Sequence, residues 1–362
     1  MLIPILILLA IPLFLIAFVL GSFVWHHVST KGLAYFGRPR AEREQFKKKL
    51  ARLGRVLRPL LRPLGSRLSD PNQFASAYHG IYVPGNSCNE VSLERAVQYA
   101  PQPNDIFVVT QMKCGTTWMQ QLVYETLSRG RGDLSDEGHG HMAAVSPWLE
   151  SFNGVSVDDA PLVGAAQARI IKTHLPASLC PYHQNAKYIY VTRHPVSAFR
   201  SCVDFFHANA GPLTPPEDAL LNWYCNDRMW WGSWPDHVDG FWRRAQERSN
   251  VAFFHFEELT QDLPAAIRRL ARFLDYELTD EELALVAEKG SFSYMKAHEA
   301  QFEMMIPPSF FSAEATFFKS GSARRHEEVE ATQTERIGAF CRNELDGGAY
   351  PLARFYPDVA AG

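Results

Sequence analysis

The segment Lys113-Cys114-Gly115-Thr116-Thr117-Trp118 sets a cation, a glycine and two hydroxyls between an apolar run, Asp105 to Thr110, and a run with helical character from Thr116 to about Ser128. A glycine lets the backbone approach an anion, and the free N–H groups that open a helix point at it. Lys113, Thr116 and Thr117 add charge and donors, so the turn is suited to grip a phosphate. It is not a Walker A loop, because the lysine precedes the glycine. On its own it is equally well a lysine and threonines that merely start a helix. A second anion signal follows the apolar run Lys187 to Thr192, where Arg193 at the run's end and Ser201 about two helical turns on can converge on one phosphate. Arg200, one residue before Ser201, is expected to face solvent. Between these signals, Ile170-Ile171-Lys172-Thr173-His174-Leu175-Pro176 ends a β-rich run on a histidine, a residue able to act as general base near neutral pH. Lys172 adds positive charge beside it, unless strand alternation turns it to the far face.

The elements that must position these groups are predicted as strands over 105–110, 169–173, 187–192 and 251–256, and helices over 116–128, 195–208 and parts of 263–289. Such alternation predicts an α/β fold with a mostly parallel sheet flanked by helices. Ligands in that architecture gather at the carboxyl ends of the strands, where Lys113, His174 and Arg193 all fall. Residues 129–168 and 207–217 are expected to be loops that cover or shape a pocket. The chain has 362 residues and 46% hydrophobic content, enough for one large core or two smaller ones. Its six cysteines form no CxxC pair and no metal spacing, so reduced thiols are expected. Cys114 reads as a small packing residue, with reactivity as the sharper alternative. His139 and His141 in a glycine-rich loop are weak grounds for a metal, and no acidic ligand cluster accompanies the site residues, so none is expected. Trp223, Trp230, Trp231, Trp234 and Trp242 read as core and lid packing.

Met1 to Trp25 carries no charged side chain and is long enough to cross a bilayer as a helix. A cleaved signal peptide is the rival, but no Lys or Arg precedes the apolar run. From Lys31 to Arg67, twelve basic residues stand against Glu42 and Glu44, a net of +10 in a chain whose total is −3. The expected organisation is a transmembrane anchor at 1–28, a basic juxtamembrane stalk at 29–71 and a globular domain at 72–362. The basic flank stays cytoplasmic by the positive-inside bias, making a single-pass membrane protein with its domain in the cytoplasm. It would attract anionic headgroups. The acidic remainder argues against nucleic acid as a partner.

Taken together, Lys113 to Trp118, Lys172-Thr-His-Leu-Pro176, Tyr190-Val-Thr-Arg193 with Ser201, Gly232-Ser-Trp234 and Phe317-Phe-Lys-Ser-Gly321 resemble the ordered motifs of the soluble-type sulfotransferases that use 3′-phosphoadenosine 5′-phosphosulfate (PAPS). The resemblance spans roughly residues 72–357 and implies a P-loop-like nucleotide-binding sulfotransferase fold. It implies that Lys113, Cys114, Gly115, Thr116 and Thr117 bind the 5′-phosphosulfate and that Trp118 stacks on the adenine. It further implies that Arg193 and Ser201 hold the 3′-phosphate, that His174 is the base, and that Ser291 and Phe292 contact the adenine. Sulfuryl transfer needs in-line approach, charge stabilisation at the leaving oxygen and a base for the acceptor proton, which Lys113, Lys172 and His174 can supply without a metal.

The chain departs from the family's pattern at several places. Gln111-Met112 replaces Tyr-Pro before Lys113, and Phe256 stands where a tyrosine is common, able to stack but not to donate a hydrogen bond. Where the family reads Arg-Lys-Gly followed by Gly-x-Trp, this chain has Lys319-Ser320-Gly321-Ser322-Ala323-Arg324-Arg325-His326. Lys319, Arg324 or Arg325 must then replace the lost phosphate contact, or the donor is held more weakly. Phe302, Met304, Met305, Phe310 and Phe311 form an apolar loop placed to line an acceptor pocket. The expected activity is sulfuryl transfer to a hydroxyl or amine of a small-molecule or lipid-like acceptor. A catalytically degenerate nucleotide-binding scaffold at the membrane and an ATP-dependent kinase remain the rivals.

Overall fold

The computed structural model describes residues 38–65, 70–135, 137–303 and 316–361. The expected anchor at 1–28 and the loop residues Met304, Met305, Phe310 and Phe311 lie outside these. Among the described residues no helix is long and apolar enough to cross a membrane.

Strands β1 (Ala75–Tyr78) and β2 (Ile81–Pro84) form an antiparallel hairpin closed by His79 and Gly80, both at positive φ as a two-residue hairpin turn requires. The central sheet is parallel and built from β3 (Asp105–Thr110), β4 (Arg169–Thr173), β5 (Lys187–Thr192) and β6 (Val251–His255), in the order β4-β3-β5-β6. Phe107 pairs with Ile171 on one side and Tyr188 on the other. All six residues of β3 are buried, as a central strand covered on both faces must be.

Alternate side chains feed two cores. Ile106, Val108, Ile170, Ile189 and Val191 pack under the helices Thr116–Leu127, Leu263–Phe273 and Asp280–Lys289. Phe107, Val109, Ile171, Tyr188 and Tyr190 pack under Pro195–Ala210, Trp234–Glu247 and Ala331–Glu344. The result is a three-layer α/β/α domain. The expected strand 251–256 ends one residue early, because His255 caps the helix Phe256–Gln261 and its N–H binds Glu258 Oε1 at 3.0 Å. Strand order reverses beside β3, so the switch-point crevice opens between the ends of β3 and β5. Lys113 follows the first of these ends and Arg193 the second.

The basic segment forms the helix Arg40–Gly65. Arg43 and Phe46 are buried, Arg43 Nη2 donates to the Gly140 carbonyl at 2.9 Å and Lys47 pairs with Glu303. Lys48, Lys49, Arg52 and Arg55 are exposed.

Candidate active site

The turn between β3 and the Thr116 helix is set by two left-handed residues, Lys113 at φ 65° and Gly115 at φ 108°. Gly115 is the N-cap, and a Cβ there would lie 2.9 Å from the Phe256 ring. Only glycine fits, and it leaves the opening N–H groups of a twelve-residue helix without a capping side chain. Gln111 Nε2 donates to the carbonyls of Trp230 and Gly232 at 3.0 and 3.1 Å, tying the turn to the Trp230–Gly232 segment in place of the family's Tyr-Pro. The Thr110 and Thr116 hydroxyls meet at 2.6 Å. Lys113 Nζ lies 4.8 Å from the Phe205 ring centroid, and removal from water lowers its pKa. Cys114 is buried with its pKa pushed up by burial, so its packing role is the one realised.

His174 ends β4 with its ring held from one side. Nδ1 donates to the Thr110 carbonyl at 2.8 Å, which leaves Nε2 as the proton-accepting nitrogen. The fully buried Glu150 fixes the backbone beneath it: Oε1 accepts the His174 N–H at 2.7 Å and Oε2 the Thr173 hydroxyl at 2.9 Å. His237 Nε2 donates to the His174 carbonyl at 2.9 Å. The rings of Trp231 and Trp148 lie 4.7 and 5.5 Å away. Lys172 Nζ sits 3.9 Å from the centroid of the Trp148 ring, the same ring that meets His174 edge to face. Burial, then the charge of Lys172, holds the His174 pKa well below its ordinary value. Burial also pulls Lys172 down to about 8, against the opposing pull of Glu150. Lys172 and Lys113 both lie near enough to His174 for their charges to act on its ring.

Arg193 is buried at the end of β5. Its Nη2 donates to the Ser322 carbonyl at 2.8 Å, its guanidinium carbon lies 4.3 Å from the Phe256 ring centroid, and its buried Nε finds no hydrogen-bond partner among the described residues. Phe256 meets Trp118 edge to face at 5.0 Å, and Trp118 Nε1 donates to the Gly290 carbonyl at 2.7 Å. Ser291 caps the helix Phe292–Ala297, and Phe292 packs against the Cα side of Gly321, where a Cβ would come within 2.8 Å. Ser201 is half-buried on the same helix as Ser197.

The C-terminal segment behaves differently from the expectation that its cations are available to a phosphate. Lys319 Nζ lies 2.6 Å from Asp204, and Arg325 pairs with Asp204 and with Glu328, the latter at 2.7 Å. Arg324 projects outward near Glu327 at 3.9 Å, and the Ser320 hydroxyl accepts the Ser322 N–H at 3.2 Å. Arg200 does not simply face solvent, since it reaches Asp204 at 3.2 Å and Glu328 at 3.7 Å. Ser197 Oγ donates to the Ala323 carbonyl at 3.0 Å and accepts the His326 N–H at 2.9 Å. Phe302 belongs to the core, 5.7 Å from Phe318. His141 caps a short helix, its Nδ1 accepting the Ala143 N–H at 3.0 Å. Sequence reasoning missed Glu150, Thr110, Ser197 and Asp204. Of these only Asp204, one turn past Ser201, carried a positional signal.

The site suits a doubly phosphorylated nucleotide such as PAPS: a cradle only glycine permits, an orphaned buried Arg193 Nε, and cations and hydroxyls at the crevice. Comparison with known proteins agrees. The sulfotransferase domain model matches residues 103–349. The chain is 31% identical to sulfotransferase 2B1 of Mus musculus over 75% of this chain and 80% of the relative. It is 26% identical to sulfotransferase 2A1 of Homo sapiens over 67% and 85%. Retinol dehydratase with retinol and PAP superposes at TM-score 0.59 and 21% identity, covering 75% of this chain and 89% of that one. Mouse SULT7A1 with PAP does so at TM-score 0.59 and 21%, covering 79% and 99%. The chain belongs to the sulfotransferase family and is a PAPS-dependent enzyme that transfers a sulfuryl group to an acceptor.

Proposed function

We propose that this sulfotransferase is a single-pass membrane protein, anchored by residues 1–28, with a basic segment at 29–71 and a cytoplasmic catalytic domain at 72–362, acting on the hydroxyl of an amphiphilic, lipid-like alcohol. The observation that carries the catalytic part is the one-sided tether of His174, Nδ1 to the Thr110 carbonyl, in the field of Lys172 and Lys113. When bound, PAPS supplies a sulfuryl group already activated on a phosphate leaving group. Lys113 stabilises charge at the leaving oxygen, and Thr116 and Thr117 with the helix N–H groups hold the nonbridging oxygens. His174 Nε2 takes the acceptor proton, so that the attacking oxygen gains charge as it approaches in line. Arg193 and Ser201 hold the 3′-phosphate, and Trp118, Phe256 and Phe292 offer ring faces and edges to the adenine.

The apolar acceptor is supported by the indole walls of Trp148 and Trp231 beside His174. It is supported also by a structural neighbour solved with androsterone and by a relative named 3-alpha-hydroxysteroid sulfotransferase. The membrane reading rests on the uncharged first 25 residues and on Lys48, Lys49, Arg52 and Arg55, exposed along one helix. The test is transfer of labelled sulfate from PAPS by the full-length protein to a panel of amphiphilic alcohols and soluble phenols. His174→Ala is expected to lower turnover by about 10²-fold or more while nucleotide binding persists. Turnover retained in that variant removes the base role, and full activity on soluble phenols alone removes the lipid-like acceptor.

A further inference from the structure

One carboxylate sits where the site's cations converge. Asp204 lies one turn beyond Ser201 on the helix Pro195–Ala210, on the stripe that also presents Ser197 to the segment 322–326. Its Oδ1 takes Lys319 at 2.6 Å and Arg200 at 3.2 Å, while Oδ2 takes Arg325. The carboxylate is nearly buried, with its side chain 10% exposed. Burial pushes it up, but the hydrogen bonds from Lys319 and Arg325 outweigh that and hold it below the usual carboxylate range. Its charge is felt at Lys113, as are those of Arg193 and Arg325, so these groups share one neighbourhood.

Two of the three cations differ in how firmly they are held. Arg325 keeps Glu328 as a second acceptor, with Nε and Nη2 at 3.2 and 2.7 Å. Lys319 is 55% exposed on a flexible four-carbon stem and is free to turn to another acceptor. A phosphate dianion beside Arg193 and Ser201 would meet Asp204 as a like charge and as a competitor for Lys319.

We propose that Asp204 is an internal counter-ion for the cations of the 3′-phosphate site and sets the affinity for 3′-phosphorylated nucleotides by competing with the phosphate for Lys319. The proposal rests on the donor-site reading above, in which Arg193 and Ser201 face the 3′-phosphate. Lys319 is then the residue that stands in for the missing motif, released from Asp204 as the phosphate arrives. The competition lowers affinity for donor and desulfated product alike and so favours product departure.

The test is calorimetric titration of the full-length protein with 3′,5′-adenosine bisphosphate and with 5′-AMP. Asp204→Asn is expected to bind the bisphosphate about tenfold tighter, equivalent to about 1.4 kcal/mol, with 5′-AMP affinity unchanged. In steady state the KM for PAPS falls while that for the acceptor stays. Adding Lys319→Met to Asp204→Asn removes most of the gain, and Lys319→Met alone, a half-exposed position that leaves the core untouched, weakens bisphosphate binding. Asp204→Glu restores the pair and keeps wild-type affinity. Unchanged or weaker bisphosphate binding in Asp204→Asn, a parallel gain for 5′-AMP, or indifference of the Lys319→Met variant overturns the proposal. Wild-type protein that fails to bind the bisphosphate overturns the donor-site reading itself, and this proposal with it.

Discussion

His174 shows how much one buried backbone carbonyl decides. With Nδ1 committed to Thr110 and the ring taken out of water beside Lys172, the imidazole stays neutral to lower pH than an ordinary histidine. The acid limb of kcat/KM is therefore expected below pH 6.5, measured as a pH–rate profile; an acid limb at or above 6.5 assigns the base elsewhere. The same sign governs stability. His237 and His194 are likewise lowered, each to about 4, so the folded state takes up fewer protons than the unfolded chain as pH falls through 6.5. Stability contributed by these neutral histidines is present above pH 6.5 and is lost progressively down to about 4, readable as a falling denaturation midpoint. Glu150 holds the backbone under His174 through two hydrogen bonds, besides the pull of its charge on Lys172. Glu150→Gln turns one of its two acceptors into a donor facing the His174 N–H or the Thr173 hydroxyl. A loss of about 1–3 kcal/mol is expected, seen as a lower urea midpoint at constant slope, and an unchanged midpoint contradicts the clamp. Lys113, His174 and Arg193 were legible because each lies within three residues of the end of an apolar run. Glu150 was not, since nothing in the 40-residue stretch 129–168, without a periodic pattern, marks which carboxylate will reach a strand residue 23 positions on.

At the scale of elements, all four strands of the central sheet were legible from short apolar runs bounded by polar turns. So was the helix after Gly115. The antiparallel hairpin and the helix Ala331–Glu344 went unread, the first because its strands are four residues each, the second because its apolar face is thin. In the sequence alone, the C-terminal segment shows a motif with a missing cation. What the sequence hid is that Asp204 and Lys319, 115 positions apart, meet at 2.6 Å. Tertiary charge pairing of that kind leaves no periodic trace. The turn at Gly115 makes a sharp prediction. Gly115→Ala places a Cβ against Phe256 at a φ of 108° that L residues avoid. It should cost about 1–3 kcal/mol of stability and abolish bisphosphate binding, by thermal melting and titration; a variant that binds normally shows that the turn does not cradle the phosphate.

For the molecule as a whole, the charge map separates a strongly basic leading segment from an acidic domain, and the helix Arg40–Gly65 joins them by docking on the domain through Arg43 and Lys47. If the segment before it spans a bilayer, that docking holds the catalytic domain close against the membrane face. The full-length protein is expected to sediment with membranes through high-salt and carbonate washes, and a chain lacking residues 1–37 to lose that resistance; equal extraction of both contradicts the anchor. On the proposed reading of the site, the crevice between β3 and β5 binds the 3′-phosphorylated donor through Arg193 and the Lys113 turn. The most direct measurement is thermal stabilisation of the full-length protein by 3′,5′-adenosine bisphosphate, against 5′-AMP and ATP with magnesium, in wild type and Arg193→Ala. At about 100 times the dissociation constant, a stabilisation of about 2.7 kcal/mol is expected for the bisphosphate in wild type, and little in Arg193→Ala. A shift from ATP with magnesium alone, or a bisphosphate shift that survives Arg193→Ala, contradicts the account.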